Sequence, residues 1–187
     1  MQEARETWKI EKTTEDGAHF VFIDESGVNT GMTRLYGRGL VGERVFGYVP
    51  DTRWKSLTIL SSLRKDGTTE ALVFEGALNG EMFKAYMKIC LAPTLKEGDV
   101  VIMDNLSSHK VKGLKEIVEE RGARIEYLPP YSPDLNPVEN MWSKIKAQLR
   151  HVKKRCQDAL IEAVGAALKT VSAQDAQGWF KHCGYCL

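Results

Sequence analysis

The chain has 187 residues, of which 43% are hydrophobic and 27% charged, and its formal net charge is +1. This length suits one domain with a sizeable core, and the composition excludes a disordered protein. A net charge so near zero argues neither for nor against a nucleic-acid partner. The apolar runs are too short to span a membrane and the N-terminus has no signal-peptide pattern, so we expect a cytoplasmic protein without membrane association.

The first part of the chain predicts mainly strands. Residues 1–16 are expected to form a linker or a short helix. An apolar run over 19–24 then predicts a buried central strand that ends in Asp24, with a turn over 25–29. Three more β segments follow, the last two joined by a hairpin turn at Lys65-Asp-Gly: residues 43–49, 55–64 and 69–74.

The rest of the chain alternates between helical and strand patterns. The expected elements are a helix over 79–91, a strand over 100–104, a helix over 110–121, a strand over 124–128, and last helices over 137–150 and 155–171. This order is typical of a mixed α/β fold. The strand over 100–104 ends in Asp104, as the first strand ends in Asp24, and ligands bind at that edge of an open α/β sheet.

Four of the six prolines lie in one stretch, residues 127–142. Proline forces extended or turn geometry on the chain, so the first half of this stretch must be a stiff loop. Asn136 is a good N-cap and Pro137 suits the first helical position. The loop therefore delivers one carboxylate, Glu139, at the first turn of a helix.

Three carboxylates that converge from three elements would repel one another unless a cation lay between them. Oxygen ligands suit Mg²⁺, and two such ions can activate the attacking oxygen and stabilise the leaving oxygen in phosphoryl transfer. Each acid also has a simpler interpretation. Asp24 and Asp104 could be turn residues, and Glu139 could serve only in a capping box.

Basic residues cluster between Lys144 and Arg155, without an acid among them. This cluster predicts either a phosphate-binding surface or a solvated helix face. Lys146 and Arg150 share a helix flank with Glu139. Near the C-terminus, Cys183 and Cys186 form a CxxC pair, whose interpretation as a zinc or redox site competes with that of an incidental pair.

Three segments resemble the catalytic core of mariner-like bacterial insertion-sequence transposases: residues 22–26 (FIDES), 102–109 (IMDNLSSH) and 128–139 (LPPYSPDLNPVE). The 34 residues between Asp104 and Glu139 match the D-D-E form of that family. The end of the chain, from Trp179 to Tyr185, is also similar to that family.

The resemblance implies an RNase H-like fold (related to retroviral integrases) with a mixed five-stranded sheet flanked by helices over residues 17–187. It implies that Asp24, Asp104 and Glu139 form the catalytic and metal-binding triad, with two Mg²⁺ ions for which Mn²⁺ can substitute. The activity implied is metal-dependent cleavage of DNA at transposon ends, followed by strand transfer into target DNA.

Further residues are expected to have supporting roles. Asn105 and His109 match the Asp-Asn…His pattern of that family and are expected to orient water or phosphate, or to hold the loop. Asn136 is expected to hold the proline-rich loop, and Lys146 and Arg150 to contact DNA. We expect Trp142 to lie in the core.

Full-length members of that family carry N-terminal helix-turn-helix modules, and residues 1–16 are interpreted as a linker or short helix at the end of such a region. The implied partners are DNA, a second copy in a homodimer, and a helix-turn-helix region that is either fused or separately encoded. The implied location is the bacterial nucleoid. Two alternatives stay open: a metal-dependent nuclease of the same fold, and a truncated, non-catalytic remnant.

Overall fold

The structure, a computed structural model, describes residues 2–51 and 53–186. Within these residues the strands are Phe20–Asn29 (β1), Ser56–Arg64 (β2), Ala71–Glu75 (β3), Val100–Met103 (β4) and Arg124–Tyr127 (β5). The α-helices are Gln2–Thr14 (α1), Gly80–Tyr86 (α2), Leu114–Glu119 (α3), Pro137–Val152 (α4), Gln157–Leu168 (α5) and Ala173–His182 (α6). A π-helical turn, Met87–Leu91, continues α2.

The strands form one sheet in the order β3-β2-β1-β4-β5. β1 lies at the centre, where it pairs antiparallel with β2 and parallel with β4. β3 extends the antiparallel side and β5 the parallel side. The predicted mixed five-stranded sheet flanked by helices is confirmed.

Successive side chains of β1 point to opposite faces of the sheet, and each face has its own core. Phe20 and Phe22 face the core that α4, α5 and α6 complete, whereas Val21 and Ile23 face the core that α2 and α3 complete. By the same alternation, Asp24 belongs to the α4 face and its neighbour Glu25 to the opposite face.

Two of the predictions for the β1–β2 region are wrong. Residues 43–49 form no strand: they are exposed, within a connection that lacks regular structure. The five-stranded sheet forms without this segment, whose exposed side chains would gain no burial as a strand. Residues 25–29 form no turn but continue β1, because they pair with β2 as far as Asn29 opposite Ser56.

The predicted helices also differ in their limits. The helix expected over 110–121 begins only at Leu114, after Gly113 adopts a φ of 84° that interrupts helical geometry. The helix expected over 155–171 ends at Leu168, and the sequence patterns did not reveal α6. α6 begins with a capping box in which Ser172 and Asp175 satisfy each other's backbone N–H groups.

Among the described residues, no helix combines the length and the apolar character that crossing a membrane requires.

Candidate active site

The sheet register brings the first two predicted acids side by side. Phe22 in β1 is paired with Ile102 in β4, so two residues further on Asp24 and Asp104 lie at the same level. Glu139 reaches the same place from the first turn of α4. All three carboxylates line one cavity of about 490 Å³, together with the proline-rich loop.

Asp24 is almost entirely buried, with 8% of its surface exposed. Its Oδ1 accepts a hydrogen bond from the backbone N–H of Glu25 at 2.9 Å. Its Oδ2 accepts from Asn136 Nδ2 at 3.2 Å and from Trp142 Nε1 at 3.3 Å. These contacts hold the carboxylate in place with neutral donors, which offset little of its negative charge.

The surroundings of Asp24 favour its neutral form. Burial, followed by the charges of Glu139, Glu25 and Asp104, raises the pKa of Asp24 to about 8. A carboxylate whose pKa is raised this far by burial and by acidic neighbours lies where the protein is short of positive charge. Such sites are candidates for function because chemistry, rather than stability, explains the arrangement.

Asp104 lies beside a fully buried imidazole. His109 Nδ1 is 2.6 Å from Asp104 Oδ1, and His109 Nε2 is 3.4 Å from Glu25 Oε2. Neither contact is aligned as a well-formed hydrogen bond, although both bring the imidazole against a carboxylate. Burial opposes a charge on His109, but the carboxylates of Asp104 and Glu25 outweigh it and raise the pKa of His109 to about 9. The Phe83 ring, 4.3 Å away between centroids, closes the other side.

Local sequence explains the position of Glu139. Asn136 Oδ1 caps α4 by accepting from the N–H of Val138 at 3.2 Å, and Pro137 occupies the first helical position. Since Asn136 is buried and also donates to Asp24, the start of α4 is fixed to β1. Glu139 lines the cavity from this first turn.

The donor set fits a hard divalent cation. It consists of carboxylate oxygens that converge on a cavity where negative charge is poorly offset, which is the chemistry that Mg²⁺ and Mn²⁺ prefer. Among the described residues, no three His, Cys, Asp or Glu side chains form a ready-made metal cluster. Asp24 and Asp104 are instead turned toward protein partners, as mutually repelling carboxylates are expected to be.

The other predicted residues lie at different distances from the cavity. Asn105 is exposed and lines it, whereas His109 is buried behind Asp104 and cannot touch phosphate. Lys146 and Arg150 are half-buried along α4 and lie outside the cavity lining. Trp142 is in the core, as predicted.

The basic stretch 144–155 is partly committed to structure. Lys144 Nζ lies 2.6 Å from Asp175 and 2.7 Å from the carbonyl of Thr170. Arg155 donates to the carbonyls of Thr30 and Met32. These two cations hold α4 and the segment after it to their neighbours, so the expected phosphate surface is reduced to the remaining members.

Sequence reasoning missed three residues of the site. Glu25 is the second carboxylate near His109, and its place directly after Asp24 is the signal that could have found it. Trp142 was assigned to the core, but its indole N–H also holds Asp24, which only the tertiary structure reveals. Lys110 lines the cavity, one residue after the predicted motif ends.

The cysteine pair lies apart from this cavity. Cys183 is buried and near Asn140 Nδ2, at 3.7 Å, while Cys186 is exposed. Whether the pair is a zinc or redox site or an incidental pair stays a prediction.

A family model described as DDE superfamily endonuclease matches residues 19–161. Comparison with curated proteins gives no significant match. Solved structures do match. The Mos1 transposase paired-end complex with left transposon end superposes with a TM-score of 0.72 at 14% identity, covering 97% of this chain and 57% of that one.

Two structures of the Mos1 catalytic domain alone are also similar. The Mos1 transposase catalytic domain with raltegravir and Mn gives a TM-score of 0.64 at 13% identity, over 98% of this chain and 86% of that chain. The catalytic domain of Mos1 mariner transposase gives 0.54 at 13% identity, over 100% and 93%. At such identities the likeness concerns the fold, and the RNase H-like fold is confirmed. This chain spans 57% of the chain in the paired-end complex.

Proposed function

The chain belongs to the DDE superfamily of endonucleases, and from that premise we propose that it is the catalytic domain of a transposase. Its reaction would be cleavage of DNA phosphodiester bonds at transposon ends, with strand transfer into target DNA as the second step. The observation that carries this proposal is the single cavity onto which Asp24, Asp104 and Glu139 converge from β1, the end of β4 and the start of α4. The relatives with this fold were solved with transposon-end DNA, with Mn and with Mg.

Asp24, Asp104 and Glu139 are proposed to hold two Mg²⁺ ions, which Mn²⁺ could replace. When bound, such ions neutralise the scissile phosphate and lower the pKa of an attacking oxygen. The protein fixes the position of the ligands: Asn136 and Trp142 hold Asp24, and the Asn136 cap fixes the turn that bears Glu139.

The proposed reaction has two steps, a hydrolysis and a transesterification, and the second keeps the number of phosphoester bonds constant. Water first attacks the phosphodiester, so that one P–O bond forms, the bond to the 3′ oxygen breaks, and a 3′-hydroxyl is freed. That hydroxyl then attacks a phosphodiester of the target, and one P–O bond replaces another. No covalent bond to the enzyme is needed, which agrees with a cavity lined by carboxylates.

His109 and Lys110 have different places in this proposal. His109 lies behind Asp104, so its role is to hold that carboxylate and not to contact phosphate. Lys110 lines the cavity and is exposed, so it can contact a DNA phosphate directly. Asn105, which also lines the cavity, is placed to donate a hydrogen bond to the same phosphate.

Recognition of DNA is proposed to need further parts. The pairing of two transposon ends would require a homodimer, and end-specific binding would require a helix-turn-helix region, either fused or separately encoded. Residues 1–16 would connect such a region to the catalytic domain of residues 17–187. The protein would act on the bacterial nucleoid, in the cytoplasm.

The test is nicking of supercoiled plasmid and strand transfer of a 5′-end-labelled oligonucleotide with a free 3′-hydroxyl, each with Mg²⁺ or Mn²⁺. We expect Asp104→Asn to lower cleavage by about 10³-fold, because a lost metal ligand removes several kcal/mol of transition-state stabilisation. Asp158→Asn, an exposed carboxylate on α5, is the matched control and should cleave normally.

The same assay separates the alternatives. Nicking without strand transfer would favour a nuclease of the same fold, and no metal-dependent activity in either assay would favour a non-catalytic remnant. Equal activity in Asp104→Asn and in the wild type would refute the assigned site.

A further inference from the structure

One arginine of α1 donates several hydrogen bonds to the proline-rich loop. Arg5 Nη1 lies 3.3 Å from the carbonyl oxygen of Tyr131, 2.8 Å from Ser132 Oγ and 3.0 Å from Asp134 Oδ1. Its Nη2 donates to Asp134 Oδ2 at 2.6 Å. One guanidinium thus joins three of four consecutive residues, 126 or more positions away in the sequence.

This part of the loop has a conformation that needs support. Tyr131 has a φ of 54°, in the left-handed region that residues other than glycine rarely adopt. Its side chain is 88% exposed and makes little packing contact, so the carbonyl contact with Arg5 is one of the few restraints available there. Ser132, by contrast, is buried, and its hydroxyl lies between Arg5 and the Pro130 carbonyl.

α1 also holds the other end of the same loop. Trp8 Nε1 donates to the hydroxyl of Tyr185 at 3.2 Å, and that hydroxyl donates to the carbonyl of Leu135 at 2.6 Å. Trp8 and Tyr185 are both buried in the core on the α4 face. The loop is therefore attached to α1 directly through Arg5 and indirectly through Tyr185.

The held loop leads straight into the active site. Leu135 is followed by Asn136, which caps α4 and donates to Asp24. Glu139 is three residues further on, in the first turn of the helix. A shift of the loop would therefore move both the support of Asp24 and the carboxylate of Glu139.

We propose that Arg5 is a positioning residue for the catalytic site, acting through residues 131–134 on Asn136 and Glu139. This inference rests on the proposed function, since it assigns Arg5 a part in that reaction. Helix α1 would then stabilise the conformation of the proline-rich loop within the catalytic domain, in addition to any connection with an upstream region.

The geometry separates this role from ordinary stabilisation. The Arg5 and Asp134 side chains are 26% and 56% exposed, and ion pairs so exposed contribute little to the stability of a protein. Four donor contacts from one planar group instead fix the shape of the loop, which lysine cannot imitate with a single ammonium group. Loss of Arg5 should therefore affect catalysis much more than folding.

The experiment compares Arg5→Gln, Arg5→Lys and Arg124→Gln in the full chain. Arg124 is the matched control, because its guanidinium ties Glu15, just after α1, to β5 at 2.5 Å and makes no contact with the loop among the contacts described for it. Five quantities are measured: kcat and KM for Mn²⁺-dependent plasmid nicking, Mn²⁺ affinity by calorimetry, amide hydrogen exchange of the non-proline residues within 130–136, and Tm.

We expect Arg5→Gln to lower kcat by about 10- to 100-fold, as small misplacements of catalytic groups do, with KM unchanged. Exchange in residues 130–136 should accelerate and Mn²⁺ should bind more weakly, while Tm stays within about 2 °C of the wild type. Arg5→Lys should recover part of the kcat loss. Arg124→Gln should match the wild type in kcat, loop exchange and Mn²⁺ affinity.

Wild-type kcat and loop exchange in Arg5→Gln would overturn the proposal, as would an equal kcat loss in Arg124→Gln. If the wild type itself fails to nick DNA, the proposed function fails, but the exchange and Mn²⁺ measurements still decide the role of Arg5. Unchanged loop exchange and Mn²⁺ affinity in Arg5→Gln would then overturn it on their own.

Discussion

The central strands β1 and β4 have a buried carboxylate near each end, and the surroundings of the two carboxylates differ. The end where β4 begins is called the closed edge, and the end where β4 stops is called the open edge. At one edge, where β4 begins, Asp99 is 1% exposed and lies 2.7 Å from Arg64 Nη2, and it also accepts from the N–H of Lys96 at 2.8 Å. At the other edge Asp24 is 8% exposed, and the hydrogen bonds described for its carboxylate come from neutral donors.

The two edges therefore have different roles. A guanidinium offsets the charge of Asp99, so this edge is closed and serves stability. The opposite edge gathers Asp24, Glu25, Asp104 and Glu139, and burial together with the charges of the other three carboxylates raises the pKa of Asp24. His109 pairs with Asp104 and Glu25, but the hydrogen bonds described for Asp24 come from neutral donors. The carboxylates of this edge suit the divalent cation that we propose they bind.

Removing the counter-charge at the closed edge should cause the greatest loss of stability. We expect Asp99→Asn to lower the free energy of unfolding by about 3–5 kcal/mol, because it leaves Arg64 buried without its counter-charge. Chemical denaturation measures this loss. The cleavage rate of the molecules that stay folded should not change, since Asp99 lies at the edge remote from the cavity.

A second variant checks that this cost comes from the uncompensated charge. Replacing the pair together, Arg64→Met with Asp99→Leu, should cost much less than Asp99→Asn alone. If the double replacement is as damaging as the single one, packing rather than charge explains the closed edge.

A smaller effect distinguishes the open edge by its pH dependence. The pKa of Asp24 is raised from 3.8 to about 8 in the folded protein, so between these values the folded state holds a proton that the unfolded state has lost. Stability therefore falls as the pH rises through this range, by up to about 1.4 kcal/mol per pH unit. Asp24→Asn lacks this proton and should not show the fall.

The measurement is the free energy of unfolding of wild type and Asp24→Asn between pH 5 and 8.5, in the presence of a chelator. His109, whose pKa is raised to about 9, adds a fall of the same sign above pH 6.5, but it does so in both proteins. Parallel pH profiles would contradict the description of Asp24 as an uncompensated carboxylate.

The smallest expected effect concerns DNA contacts around the open edge. Lys110→Ala, in the cavity lining, should weaken DNA binding and reduce the salt slope of log K by about one. Lys146→Ala and Arg150→Ala test the predicted contacts along α4 in the same way. An unchanged slope in a variant removes that residue from the DNA surface.

Local patterns were enough to predict several elements. The residues of β2 and β5, the start of α4 at Pro137 and the hairpin turn before Gly67 were predicted within a residue or two, because periodicity, caps and turn glycines are local signals. The strand expected over 43–49 failed for a non-local reason, since pairing partners are decided by the order of the sheet.

In the site, too, some features were predicted from the sequence and others depend on the tertiary structure. Asp24, Asp104 and Glu139 were predicted to converge, and all three line one cavity. Their roles as metal ligands stay a prediction. The supports were beyond sequence reasoning: Trp142 and Asn136 are more than 100 residues from Asp24, and Arg5 is 129 from Asp134.

Calorimetric titration with Mn²⁺ at pH 7.5 is the decisive test of whether the open edge binds divalent cations, as we propose. We expect saturable binding in the wild type and in Asp158→Asn, and its loss in Asp24→Asn. Binding that is absent from the wild type, or that persists unchanged in Asp24→Asn, would contradict the proposal.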